Sequence, residues 1–334
     1  MLMLRQNHKK TGIISSLVIC SVLILTALFL ILNRQNITDQ ITVWQYHSTV
    51  EISSLVDRAG MNDNGKFYYL ASQPKLDATS DFNKECDRIE NDTSILGCYS
   101  GLRIYIYDVT DQQLDGVREV TATHETLHAI YARMSDGEKD QVDSLIETEY
   151  NKLKNDQDFA DLMAFYARTE PGQRDNELHS IIGTEVAAIS PELEAHYSKY
   201  FTNRQKVVSL NAKYSGTFKQ LKSRANELLK QYNSLSADIL VRLDRYNADV
   251  AVWNNDVASF KQKFENREFT SQVQIDSQLA SLNIRSENLT AVRKILESDI
   301  NKRNAILDAY NSIATESKKL YNIINSTLAP APSV

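Results

Sequence analysis

The sequence predicts a mainly α-helical chain with a small β-sheet, in which an N-terminal transmembrane helix leads into an α+β domain and a long antiparallel coiled-coil hairpin follows. Three observations carry this. An uncharged run of 21 residues, Gly12 to Leu32, stands near the start. Runs rich in aromatic and β-branched residues, Lys66 to Ala71 and Leu102 to Val109, interrupt an otherwise helix-periodic stretch up to about residue 203. Beyond Tyr214, apolar side chains recur at spacings of four and three with no proline before Pro330.

Composition agrees. With only 10 Gly and 5 Pro in 334 residues, 42% hydrophobic and 24% charged, the chain suits helix and can bury a sizeable core. The net charge is -6, and no basic patch occurs outside the N-terminal tail, so the sequence carries no electrostatic footprint for nucleic acid.

Residues 1–11 read as a cytoplasmic tail and 12–32 as the membrane anchor, since a helix needs about 20 residues to cross the hydrocarbon core. Arg5, Lys9 and Lys10 precede the run with no acidic residue, so the positive-inside rule leaves the bulk of the chain extracytoplasmic. Asn33-Arg34-Gln35-Asn36 offers no small-residue cleavage site, which favours an uncleaved anchor. Cys86 and Cys98, with 11 residues between them, suit a disulfide in an oxidising compartment, and unpaired thiols are the alternative.

Residues 33–203 read as one domain. Its expected elements are a helix over Ile41–Ala59, a turn at Asn62-Asp63-Asn64-Gly65, a strand over Lys66–Ala71, a helical or irregular stretch from Ser80 to Ile95 and a strand from Leu102. Helices follow over Val117–Met134, from the Ser135-Asp136-Gly137-Glu138 capping box, and from Asp158 to the Glu170-Pro171-Gly172 break. Residues 204–326 read as two long helices that fold back on each other, joined near Asn266–Ser271, with a local stutter at Ile239; one of about 60 residues would reach roughly 90 Å. Pro330 and Pro332 mark a flexible tail over 327–334.

The chemistry concentrates at His124-Glu125-Thr126-Leu127-His128, an HExxH motif. Residues i and i+4 of a helix share a face, so two imidazoles can reach one cation while Glu125 projects beside them. On a helical wheel those three residues share one sector, whereas Val120, Leu127, Ile130 and Met134 gather on another.

A strand followed by a helix bearing HExxH resembles the zincin metallopeptidases. Asn176-Glu177 with Ser180 resembles the gluzincin pattern, in which the third zinc ligand is a glutamate on a later helix. The resemblance implies Zn2+ held by His124, His128 and Glu177, with Glu125 as general base toward a zinc-activated water. Glu185 and His179 are rival third ligands, and Ile181 stands where several gluzincin families place an aspartate. His179, Tyr131 and Arg168 are candidate oxyanion donors, and the Leu102 strand a candidate edge for an extended substrate.

The expected function is thus a membrane-anchored extracytoplasmic zinc metallopeptidase acting on peptides or proteins. The alternative is a non-catalytic surface coiled-coil interaction protein with a structural or vestigial metal site. A third reading is a zinc hydrolase acting on a non-peptide bond such as a cell-wall amide. The arm serves either as a stalk or as a surface for a protein partner or self-association.

Overall fold

The computed structural model describes residues 4–86 and 95–325, with side chains from residue 17 onward except 79 and 80. The predicted flexible tail at 327–334 and the side chains of the predicted cytoplasmic tail lie outside that set.

The chain is mainly helical with one three-stranded sheet. Helix α1 spans Leu4–Leu32 and gives way at Asn33 to α2, Arg34–Gln45. Among the described residues no single helix is long and apolar enough to cross a membrane; Leu17–Leu32 and Arg34–Gln45 meet that requirement only as a pair, bent by 67°. The predicted span is therefore not identified as such, because the side chains of its first five residues, 12–16, fall outside those described.

The single helix predicted over Ile41–Ala59 is two. A break after α2 precedes α3 (Val50–Arg58), whose N-cap Thr49 accepts a hydrogen bond from Ile52 N–H. The strand predicted at Lys66–Ala71 is also helix: α4 covers Asp63–Ala71. Asn62 caps it by accepting from Gly65 N–H, and Tyr69 is buried with its hydroxyl donating to Ile52 O. Tertiary packing has overridden the β propensity of Phe67-Tyr68-Tyr69.

After β1 (Lys75–Asp77) and α5 (Thr79–Glu85), the hairpin of β2 (Gly97–Ser100) and β3 (Arg103–Tyr107) turns through Gly101 and Leu102, both at positive φ. The sheet order is β1-β3-β2, with β1 parallel and β2 antiparallel to β3. The strand predicted as the free edge is thus the central one, paired on both sides, and the edge near the motif helix is β2. A disulfide between Cys86 and Cys98 ties the end of α5 to β2.

The motif helix α6 (Val117–Arg133) packs against α3, α4, β2, β3 and α9, Arg174–Glu185. Its apolar side chains Leu127 and Ile130 join Leu178, Ile181 and Ile182 of α9 in the core. Burying each such side chain contributes about 1.5–3 kcal/mol. The two helices approach closely at Gly183, where a Cβ would come within 2.5 Å of Leu127 Cδ1. Between them run α7 (Asp136–Leu153), opened by the predicted capping box, and α8, Gln157–Thr169. Beyond α9 come α10 (Pro191–Tyr197), then Arg204, almost fully buried, whose guanidinium donates to the carbonyls of Ile182, Val186 and Ala187 and so caps the end of α9.

Two long helices complete the chain, α11 (Gln205–Glu265) and α12 (Gln272–Ile324), separated where the pattern lapses. The first residues of α11 belong with the domain, in a compact unit extending to Thr217, whereas Phe218–Leu320 form a second unit. Within that second unit α11 and α12 pack together. Arg242 pairs with Asp299, Trp253 Nε1–H donates to Leu282 O, and Phe260 lies against Phe269, so the contacts run in opposite directions along the two helices.

Candidate metal centre

His124 and His128 lie one turn apart on α6, and α9 brings Glu177 to them. His124 Nε2 is 3.0 Å from His128 Nε2 and 3.6 Å from Glu177 Oε2, and His128 Nε2 is 3.3 Å from Glu177 Oε1. One ligand atom from each residue falls within 4.8 Å of the others, so the three could hold a metal ion. Atoms about 2.0–2.1 Å from a tetrahedral ion stand roughly 3.3 Å apart, which these separations bracket.

The imidazole of His128 is oriented from behind. Its Nδ1 lies 2.9 Å from Asn176 Oδ1 and 3.2 Å from Ser180 Oγ. Donation of Nδ1–H to the Asn176 oxygen leaves the Nε2 lone pair aimed at Glu177, and the Asn176 amide is itself held by donation to Gln173 Oε1. The acceptor missing at Ile181, which is a core residue here, is supplied one residue before the ligand instead.

Burial sets the electrostatics. It lowers His124 to about 4, lowers His128, and raises Glu177. Glu125 is raised well above the carboxylate range by burial first, then by Glu177 and Glu170. No donor meets either oxygen of Glu177 with good hydrogen-bond geometry among the described residues, and the one acid near enough to share a proton with it is Glu170. A buried carboxylate left in that condition beside two neutral imidazoles fits a cation, which favours the ionised acid and the neutral rings.

Glu125 occupies a space that Gly97 keeps open: a Cβ at Gly97 would lie 2.8 Å from Glu125 Oε1. The edge strand β2 therefore passes directly over the motif glutamate.

The rival ligands go elsewhere. His179 is buried with Nε2 3.0 Å from His196 Nε2, its ring lies near Tyr131 and Tyr197, and its carbonyl accepts from Tyr197. Glu185, the last residue of α9, is outside the three-residue group. Of the other candidate oxyanion donors, Tyr131 donates to Asp143, and exposed Arg168 donates to Ala164 O.

Two residues went unread in the sequence. Tyr166 on α8 stacks over His124, ring centroids 6.5 Å apart and 20° from parallel. Burial, then the charges of Glu177, Glu185, Glu125 and Glu170, hold its phenol protonated well past the usual range. Glu170, pushed up to about 7 by burial and by Glu177, is the second. They stand one helical turn apart just before Pro171, a stretch legible in sequence only as a helix stop.

Comparison of the chain with known protein families, with characterised proteins and with solved structures returns no match, so the gluzincin resemblance stays confined to the motif residues.

Proposed function

We propose that this chain is a membrane-anchored, extracytoplasmic zinc metallopeptidase. The observation that carries the reading is the meeting of His124, His128 and Glu177 with Glu125 seated alongside under the edge strand. Two imidazoles and one carboxylate suit zinc, which when bound would supply Lewis acidity to a water and to the scissile carbonyl. Glu125 takes the proton from that water and delivers it to the leaving amine. Among the described residues strand β2 has a neighbour on one side only, so an extended peptide can pair along Gly97–Ser100, beside Glu125. The Tyr166 phenol, stacked on His124, is the donor available to charge developing on the carbonyl oxygen.

The apolar side chains from Leu17 to Leu32 stand exposed along α1. With the uncharged residues 12–16 before them they make up the anchor, and the Cys86–Cys98 disulfide suits an oxidising, extracytoplasmic setting. The α11–α12 pair is an antiparallel coiled-coil hairpin that acts as a spacer or partner-binding arm.

Glu170 favours a second reading, in which its carboxylate closes the metal site and the protein is a non-catalytic surface coiled-coil protein. The two readings separate on paired variants. The peptidase reading expects Glu125→Gln to keep its zinc while losing peptide hydrolysis at least about a hundredfold, and Glu170→Gln to keep its zinc. Unchanged hydrolysis in Glu125→Gln contradicts the peptidase; zinc loss in Glu170→Gln supports the closed site.

A further inference from the structure

The helix that follows the apolar segment is part of the domain and is not a continuation of a span. Asp39 of α2 is buried, and Arg133 at the end of α6 grips it through Nε and Nη2, at 2.8 and 2.9 Å, while Arg133 Nη1 donates to Tyr99 Oη of β2. Helix α2 also packs along α4. A segment so committed cannot lie among acyl chains, so the 67° bend at Asn33 marks where the chain leaves the apolar layer.

The outward side of α2 nonetheless carries two exposed apolar side chains among the exposed polar residues Arg34, Asn36, Thr38, Gln40 and Gln45. Trp44 is 85% exposed and Ile41, one turn before it, 47%, and Val50 just beyond the helix is 88% exposed. Ten residues from Arg34 to Trp44 advance about 15 Å along α2, and at the observed bend roughly 6 Å of that is directed along the axis of α1. With α1 along the bilayer normal, Trp44 falls in the headgroup layer, which is about 5–7 Å deep on each side and is where Trp and Tyr concentrate.

We propose that α2 is a membrane-surface element: Ile41 and Trp44 seat in the lipid headgroup region, and the buried Asp39–Arg133 pair transmits that seating to the far end of the metal helix. The domain is then held against the bilayer. The proposal rests on the anchor reading, and its occupant is a phospholipid surface.

Trp44 and Trp253 are the chain's 2 tryptophans, so Trp253→Phe in the full chain leaves Trp44 as the sole reporter. In phosphatidylcholine/phosphatidylglycerol vesicles, the protein is expected to float with lipid after an alkaline wash, with blue-shifted Trp44 emission that shallow-brominated lipid quenches and aqueous iodide does not. Subtracting Trp44→Phe from the unaltered protein reads the same signal should Trp253→Phe fold poorly. Flotation with Trp44 red-shifted, open to iodide and untouched by brominated lipid would overturn the seating while leaving the anchor. Failure to float would overturn both.

Discussion

Gly97 stands where any side chain would strike the candidate base, with Thr121 Cγ2 only 2.5 Å and Glu125 Oε1 2.8 Å from where its Cβ would lie. Gly97→Ala is therefore expected to retain metal but lose most hydrolytic activity, measured as zinc content against kcat/KM on one peptide. Asn176→Ala, which removes the acceptor for His128 Nδ1, acts on the metal instead: zinc affinity in a competition titration with a chelator is expected to fall about 10–100-fold. His196 gives a pH prediction. Burial and then Lys199 lower it from 6.5 to about 4, so its neutral form contributes stability that is complete above about pH 6.5 and lost as pH falls through about 4. The loss amounts to about 3 kcal/mol at most. Urea unfolding of the metal-free protein across that window is expected to show it, and His196→Gln to flatten the slope. At this scale HExxH was legible because its geometry is local, a matter of i and i+4 on one helix. The orienting role of Asn176 and the approach of Tyr166 and Glu170 were not, since each depends on α8 or α9 meeting α6 across the core.

Among the elements, α6 and α9 set the site by how closely they approach. Gly183→Ala would press on Leu127 Cδ1 and on the Tyr197 ring, so about 1–3 kcal/mol of stability should go, with zinc affinity falling as Glu177 is pushed away. Denaturant midpoints and zinc titration on the one variant check both effects. The Cys86–Cys98 link holds β2 over Glu125, and its closed loop is short enough that reduction is expected to cost about 3 kcal/mol. Helices with clear stop and start signals, α6 and α7, could be read from sequence within a residue or so. Helix α4 could not, because Phe67-Tyr68-Tyr69 favours a strand locally and only the Asn62 cap and the burial of Tyr69 make it helical. The central place of β3 was hidden for a similar reason: nothing in Arg103–Tyr107 announces that β1, some thirty residues earlier, will pair with its second edge.

For the whole molecule, the mainly helical content with a small sheet and the two long helices were legible because apolar periodicity persists over long windows, and the lapse at Asn266–Ser271 marks the turn between α11 and α12. The anchor reading has its own probe. Cys20 is the free cysteine among the described residues and lies in the apolar part of α1. In sealed vesicles it is expected to resist a water-soluble maleimide until detergent is added, whereas prompt labelling without detergent would argue against a membrane-buried α1. The central claim is that His124, His128 and Glu177 hold one zinc ion, and metal content tests it most directly. Full-length protein purified in detergent and supplied with zinc is expected to carry one zinc per chain, kept in Glu185→Ala and lost in both His128→Ala and Glu177→Ala. Folded protein without zinc, or Glu177→Ala that binds it as tightly as the unaltered chain, would contradict the account.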